Sequence, residues 1–231
     1  MIYVTGDTHA DAARLSPQNL RKLKENDTLI ICGDFGFLWN GDKKEEKILR
    51  ELGSRKYHIC FIDGTHENFK LLNEAPTVEW RYGKVKSIYG NLRYLLRGEL
   101  YHMEGMKVFV MGGGESPDMD MRVGTGHWSR EEMPSKEELY HGLANIEKAH
   151  FDVDFIFTHE PPLKTKEFLG LSGDGEIRVS ALNSYFDEIG KICKYKKWYF
   201  GSMHLDKKIS QTHIAVFRDI LNAVTGEKLK P

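Results

Sequence analysis

Short apolar runs recur along the chain, and each of them ends at a glycine or a polar loop. Residues 28–32 (TLIIC) and 58–62 (HICFI) are almost continuously hydrophobic, and residues 2–4, 153–157 and 198–200 are similar. Runs of this length that are rich in β-branched and aromatic residues predict strands. Because few polar positions interrupt them, we expect these strands to be covered on both faces, as in a parallel sheet.

Helical patterns separate these strands. A serine followed by Pro17 predicts the start of a short helix over residues 16–25. An amphipathic pattern predicts a helix over 43–52, a capping box opens another over 135–150, and residues 181–194 form a fourth. The order of strand, loop and helix predicts a largely parallel sheet with right-handed crossovers.

Shorter alternating runs follow from residue 85 onward and predict antiparallel strands. They cover residues 92–96, 100–103 and 107–111. Glu104 and Gly105 would form the hairpin turn between the last two of them. A last strand is predicted over residues 213–217.

Composition restricts the class of protein. A chain of 231 residues can bury a sizeable core, and we expect a single domain over residues 1–231. The net charge is -1, so nucleic acid is a possible partner that the charge does not indicate. The three cysteines have no CxxC spacing and lie in or beside apolar runs, as in a reducing compartment. No run approaches the roughly 18 apolar residues of a membrane span, so we expect a cytoplasmic protein with no membrane partner.

Carboxylates and imidazoles follow the predicted strands. They are Asp7, His9, Asp34, His66, His159 and His204. If the strands share one sheet edge, their loops converge on a single site. Oxygen and nitrogen donors together suit Zn, Mn or Fe better than Ca or Mg. With no nucleophilic serine or cysteine in the set, this chemistry favours metal-activated water over a covalent enzyme.

The order of these residues resembles the signature of the calcineurin-like metallophosphoesterases. That signature runs Asp-x-His, Gly-Asp, Gly-Asn-His-Asp/Glu, an isolated His, and Gly-His-x-His. The matching segments here are Gly6-Asp7-Thr8-His9, Gly33-Asp34, Gly64-Thr65-His66-Glu67, Thr158-His159 and Gly201-Ser202-Met203-His204. The resemblance implies an α/β fold, a four-layer αββα sandwich with two mixed β-sheets, and a two-metal site at the sheet ends.

The resemblance also implies the ligands of both metals. Asp7, His9 and His204 would hold the first metal, Asp34 would bridge the two, and His159 would bind the second. The expected cofactor is one or two divalent transition metal ions, Mn first, with Fe, Zn or Ni as alternatives.

The same resemblance implies the reaction. The expected activity is a metal-dependent phosphoesterase that hydrolyses a phosphate mono- or diester through metal-activated water. His66 would be the catalytic acid that protonates the leaving oxygen, and Glu67 would help to hold its ring. The expected substrate is a small phosphoester or a nucleotide, and the oligomeric state stays open.

Two positions depart from the signature, and both belong to the second metal. Thr65 stands where the family has Asn, and Ser202 stands where it has the first His of Gly-His-x-His. A hydroxyl is the weaker ligand, so the second metal is weak, or water replaces it, or Asp206 or Glu160 compensates. The alternative function is therefore a degenerate member that binds a phosphorylated ligand or partner, with little or no turnover.

The segment after Asp34 bears on the substrate. The protein Ser/Thr phosphatase branch of the family carries an arginine shortly after Gly-Asp, whereas residues 35–40 contain no basic residue. Phe37 and Trp39 could stack on a base, which favours a nucleotide or a diester, or they could pack a helix onto the sheet. Arg122 is a candidate for the missing anion contact.

Overall fold

A computed structural model of the chain describes residues 1–116, 119–124, 128–170 and 178–229, and the strands within them form two sheets. In spatial order the first sheet contains β13 (Leu221–Asn222), β1 (Ile2–Gly6), β2 (Thr28–Cys32), β3 (His58–Ile62), β6 (Leu92–Leu95), β5 (Gly83–Tyr89) and β4 (Thr77–Trp80). The second contains β11 (Lys207–Lys208), β12 (His213–Ala215), β10 (Lys197–Phe200), β9 (Phe155–Thr158), β8 (Met106–Met111) and β7 (Leu100–Met103).

Both sheets are mixed, as predicted. Strands β1, β2, β3 and β6 are parallel, and antiparallel strands flank them on both sides. In the second sheet β8, β9, β10 and β12 are parallel, and β7 and β11 are the antiparallel edges. The helices are α1 (Lys43–Gly53), α2 (Phe69–Glu74), α3 (Met119–Gly124), α4 (Lys136–Lys148), α5 (Leu163–Gly170) and α6 (Ala181–Ile192).

Alternating side chains divide the apolar residues into layers. Along β1, Ile2 and Val4 join the core between the sheets, while Tyr3 packs on the opposite face. Along β9, Phe155 belongs to the central core and Ile156 to the outer one. Helix α1 covers the outer face of the first sheet, and α4 and α6 cover that of the second. This arrangement confirms the predicted four-layer αββα sandwich, and a single domain over residues 1–231 stays a prediction.

The helix predicted over residues 16–25 is wrong, because the segment consists of turns. Leu20 N–H bonds to the Ser16 carbonyl at 3.1 Å, but Leu23 N–H bonds to the Leu20 carbonyl at 3.0 Å, so the helical ladder does not continue. The Asp27 carboxylate accepts Lys24 N–H at 2.7 Å. Short polar side chains that bond to nearby backbone compete with a helix in this way. The leucines remain buried, as the pattern predicts.

Strand registers bring the functional loops to one edge. Gly6, Cys32 and Ile62 are level with one another at the carboxyl ends of β1, β2 and β3. In the second sheet, Thr158 and Phe200 are level at the ends of β9 and β10. The loops that carry the candidate residues therefore begin at the same height in both sheets.

A buried ion pair fixes the loop after β3. The Asp63 side chain is 0% exposed and accepts Arg97 Nε at 2.9 Å and Nη2 at 2.5 Å. Tyr94 donates its hydroxyl to the other Asp63 oxygen at 2.9 Å. Arg97 also donates to the carbonyls of Glu131 and Glu132, which links the loop to a distant segment.

We expect Asp63→Ala to lower the free energy of unfolding by about 3–5 kcal/mol, because it removes the buried partner of Arg97 and leaves that charge with only the partly exposed Glu138. Urea titration measures the effect. Glu46→Ala is the control, since it removes a pair with Arg50 that lies on the exposed face of α1, and its effect should be much smaller. Equal losses in the two variants would contradict a structural role for the buried pair.

Candidate metal centre

Glycines at the strand ends allow the candidate ligands to approach closely. A Cβ atom at Gly33 would lie 2.0 Å from His159 Nδ1, and one at Gly64 would lie 2.1 Å from Asp34 Oδ1. Any side chain at either position would displace the residue that it meets. The Gly-Asp and Gly-x-His motifs therefore need glycine for clearance, which gives a physical reason for that part of the pattern.

Backbone strain is concentrated at the same loops. Asp34, His9 and His204 have φ angles of 43°, 45° and 49°, in the left-handed region. This conformation costs on the order of 1 kcal/mol for a residue with a side chain, and the surrounding structure must enforce it. The strained conformations direct these side chains toward a common point.

Four of the predicted residues form a compact cluster. Asp7, His9, Asp34 and His204 each offer one ligand atom, and these atoms lie within 4.8 Å of one another. His9 Nε2 and His204 Nε2 are 3.0 Å apart, and His204 Nε2 is 3.2 Å from Asp7 Oδ2. His9 Nε2 is 3.8 Å from Asp34 Oδ2. Two imidazoles and two carboxylates are a donor set that suits a divalent transition metal.

The local bonding is consistent with a cation at this point. Asp7 is fully buried, and its Oδ2 receives no hydrogen bond of acceptable geometry from the described residues. Buried carboxylate oxygens are rarely left in this state, since the lost solvation is costly. The two Nε2 atoms face each other, and only one proton fits between them. A cation would satisfy all of these atoms, so the residues fit a metal.

Charges in the cluster shift one another's pKa values. Burial alone would raise the pKa of Asp34, but the neighbouring charges of His159 and His66 outweigh it and lower that pKa. Burial alone would lower the pKa of His159, but the negative charge of Asp34 and its contact with Asp7 raise it well above the usual value. A metal ion and protons therefore compete for the same negative charge.

His159 lies beside the cluster and adjoins both of its carboxylates, with Nδ1 3.5 Å from Asp7 Oδ1. Its ring is buried, and Nδ1 donates to the Cys32 carbonyl at 3.1 Å. Its Nε2 is 3.8 Å from Asp34 Oδ1. The sequence prediction placed His159 with the second metal, and in the structure it adjoins the cluster of four.

His66 is attached to Asp34 by two contacts. Its backbone N–H donates to Asp34 Oδ1 at 2.8 Å, and its ring Nδ1 lies 3.1 Å from Asp34 Oδ2. The same Nδ1 is 3.0 Å from Thr65 Oγ1. The side chain is 42% exposed and adjoins the His9 ring, with 5.9 Å between the centroids. The ring therefore borders both the cluster and the solvent.

Glu67 does not hold the His66 ring, which corrects the expected contact. In the described residues its Oε1 accepts Phe35 N–H at 2.8 Å, and no hydrogen bond joins it to His66. Consecutive side chains of this loop point in different directions, so Glu67 enters the interior where His66 faces the cavity. Burial first, and then the charge of Asp34, raise the pKa of Glu67 well above its usual value.

The two substituted positions direct their hydroxyls at protein atoms. Thr65 Oγ1 faces the His66 ring, and Ser202 Oγ donates to Glu160 Oε1 at 2.7 Å. Asp206 accepts the backbone N–H groups of residues 217, 218 and 219, so it caps a turn. Asp206 therefore does not compensate for a missing ligand, and Glu160 is the carboxylate that adjoins the site.

Of the three residues considered for substrate contact, Phe37 and Arg122 are buried and Trp39 is partly exposed. Phe37 is buried against Phe35, with 5.0 Å between the ring centroids, so it packs the core and does not stack on a base. Trp39 is 38% exposed. Arg122 is buried, pairs with Glu132 at 2.8 Å and donates to the Thr65 carbonyl at 3.2 Å. Arg122 therefore positions the loop that carries His66.

A cavity of about 250 Å³ adjoins the cluster, and two of its lining cations have no counterpart in the motif pattern. Arg178 pairs with Glu115 at 2.8 Å and is 40% exposed. Lys166 is buried and bonds to Glu160. Both follow the Thr158-His159 segment in the chain, where no motif singles them out.

No curated protein matches the chain. Among solved structures it is similar to the phosphopantetheinyl hydrolase PptH from Mycobacterium tuberculosis, with 14% identity, a TM-score of 0.44, and coverage of 94% of this chain and 89% of that one. No helix among the described residues has the length and apolar character needed to cross a bilayer.

The family comparison covers most of the chain. The sequence profile of the calcineurin-like phosphoesterases matches residues 1–209. That range includes every segment of the signature and all of the residues in the cluster. The chain belongs to the calcineurin-like phosphoesterase family.

Proposed function

We propose that the protein is a metal-dependent phosphoesterase that hydrolyses a mono- or diester of a small phosphorylated molecule. The observation that carries the proposal is the cluster of Asp7, His9, Asp34 and His204, with ligand atoms within 4.8 Å of one another. Family membership supports the reaction class. The adjoining cavity of about 250 Å³ supports a small substrate, of which a nucleotide is one example.

The four residues of the cluster would hold a divalent transition metal, Mn first, with Fe, Zn or Ni as alternatives. When bound, such an ion supplies positive charge to the phosphoryl oxygens and lowers the pKa of the attacking water. Asp34 would also orient the neighbouring imidazoles, because its carboxylate contacts the His66 ring and adjoins the His9 ring.

His66 would protonate the leaving oxygen. Its Nδ1 faces Asp34, so Nε2 is the ring nitrogen that would donate toward a substrate. Asp34 stabilises the imidazolium and fixes the ring plane, the usual task of a carboxylate next to a catalytic histidine. Glu67 would act as a positioning residue, because it holds the Phe35 backbone directly after Asp34.

The state of the cysteines bears on the cellular compartment. Cys32, Cys60 and Cys193 are all free and buried. Unpaired cysteines are typical of a reducing compartment, which supports a cytoplasmic location. The near-neutral net charge of -1 gives no support for nucleic acid as the substrate.

We expect His204→Ala to lose bound Mn²⁺ after dialysis, with affinity lower by at least an order of magnitude, since a direct donor is removed. Elemental analysis and calorimetry measure the change. His141→Ala is a matched control, because its side chain is 47% exposed against 53% for His204 and lies in another part of the fold. Metal content that is the same in both variants would rule out the ligand assignment.

We expect His66→Ala to slow hydrolysis of an alkyl phosphoester by about 10²–10⁴-fold and of a nitrophenyl ester by much less. Nitrophenolate leaves without a proton, whereas an alkoxide needs one. Steady-state rates on the two esters measure the difference. The metal content of the variant should equal that of the wild type, and equal rate losses on both esters would indicate a binding role instead.

Binding without turnover is the second candidate function. The observation that favours it is that the hydroxyls of Thr65 and Ser202 are engaged by other side chains. We expect Mn-loaded protein to hydrolyse nitrophenyl mono- or diesters and Asp34→Ala to be inactive. Wild-type protein that binds metal and a phosphorylated ligand, yet hydrolyses no ester, would establish the binding function.

A further inference from the structure

A buried charged network forms the wall of the cavity next to His159. Glu160 Oε2 accepts the Lys166 ammonium and Asn183 Nδ2, the latter at 3.0 Å. Glu160 Oε1 accepts the Ser202 hydroxyl at 2.7 Å. The side chains of Glu160 and Lys166 are 4% and 11% exposed. Both oxygens of Glu160 are therefore occupied by donors from this chain.

This network lies where the family resemblance places the second metal. Of the four positions that the signature assigns to that ion, Asp34 and His159 keep strong donors, while Thr65 and Ser202 carry hydroxyls directed at other side chains. Among the described residues, the other two carboxylates that line the cavity are Glu160 and Glu115, and each already pairs with a cation. In the part of the chain that the structure describes, a divalent ion here would find only Asp34 and His159 as free strong donors, and it would meet the positive charge of Lys166. The second metal therefore does not fit these residues.

Lys166 has the properties of a replacement for that ion. Burying an ammonium is costly unless it is paired and hydrogen-bonded, so its place in the wall must be compensated by the contacts it makes. It lines the same cavity as Asp34, His66 and His159. A fixed positive charge at this point neutralises Glu160, so that the wall of the cavity does not present an unpaired carboxylate to a phosphoryl group.

We propose that the protein binds a single divalent metal, in the Asp7, His9, Asp34 and His204 cluster, and that the Lys166 ammonium held by Glu160 substitutes for the second. This inference rests on the proposed function, because it assumes that the first cluster is a metal site. It goes further in naming the residue that excludes the second ion and the carboxylate that would otherwise bind it. Repulsion between the ammonium and a divalent cation, together with the occupied Glu160 oxygens, accounts for the exclusion.

Metal counting tests the proposal. We expect wild-type protein titrated with Mn²⁺ to bind about one equivalent by calorimetry and elemental analysis. We expect Lys166→Met to bind about two, because Glu160 Oε2 loses its ammonium partner and can join Asp34 and His159 as a ligand. Electron paramagnetic resonance should then show a coupled manganese pair in that variant alone. The double variant with Glu160→Gln should return to one equivalent. Lys164→Met, an exposed lysine of the same helix, should match the wild type.

Each outcome decides the question. Two tight equivalents in wild-type protein would overturn the proposal, whether or not Lys166→Met folds. A single equivalent in folded Lys166→Met would also overturn it, since the lysine would then exclude nothing. If wild-type protein bound no metal, the proposed function itself would fail. A loss of metal in His204→Ala beside two equivalents in the wild type would preserve that function and reject only the role of Lys166.

Discussion

The buried carboxylate of Asp34 is the constraint on which the site depends. It is 3% exposed, its backbone has a φ of 43°, and its two oxygens contact the backbone and the ring of His66. A charge in that position is stable only if cationic or N–H groups surround it closely. Gly64 provides the space for this approach, because a Cβ atom there would lie 2.1 Å from Asp34 Oδ1. The Gly-Asp and Gly-x-His segments are thus two halves of one packing requirement.

The site also lies at the interface between the two sheets. Asp7 and Asp34 come from loops of the first sheet, and His159 and His204 come from loops of the second. A Cβ atom at Gly201 would lie 2.2 Å from the Cys32 carbonyl, so the two edges are in close contact. A ligand that binds only the folded chain stabilises it by mass action, and an ion held by both sheets would do so across this interface.

Much of this arrangement could be predicted from the sequence. The strands over 28–32 and 58–62 were predictable because both of their faces are apolar, and the six candidate residues because each follows a strand end. The hydrogen-bond partner of Glu67 could not be predicted, since the direction of a loop side chain depends on backbone angles that the sequence pattern does not define. Lys166 was missed for a related reason. Lysines are normally solvated, no helix was predicted over its segment, and only tertiary packing places this one beside Glu160.

Charge balance explains why the two halves of the site differ. Three buried carboxylates, those of Asp7, Asp34 and Glu160, lie close together, and each needs a positive partner. An oxygen of Asp7 without a hydrogen bond is consistent with an exchangeable ion, whereas every oxygen of Glu160 is bonded within the chain. The substitutions at positions 65 and 202 fit this difference between the two halves of the site. The hydroxyls of Thr65 and Ser202 bond to a histidine and to a carboxylate of this chain, so they need no metal as a partner. In the single-metal site that we propose, the departures from the family signature form one coherent change, in which a fixed ammonium and two hydroxyls replace an ion and its ligands.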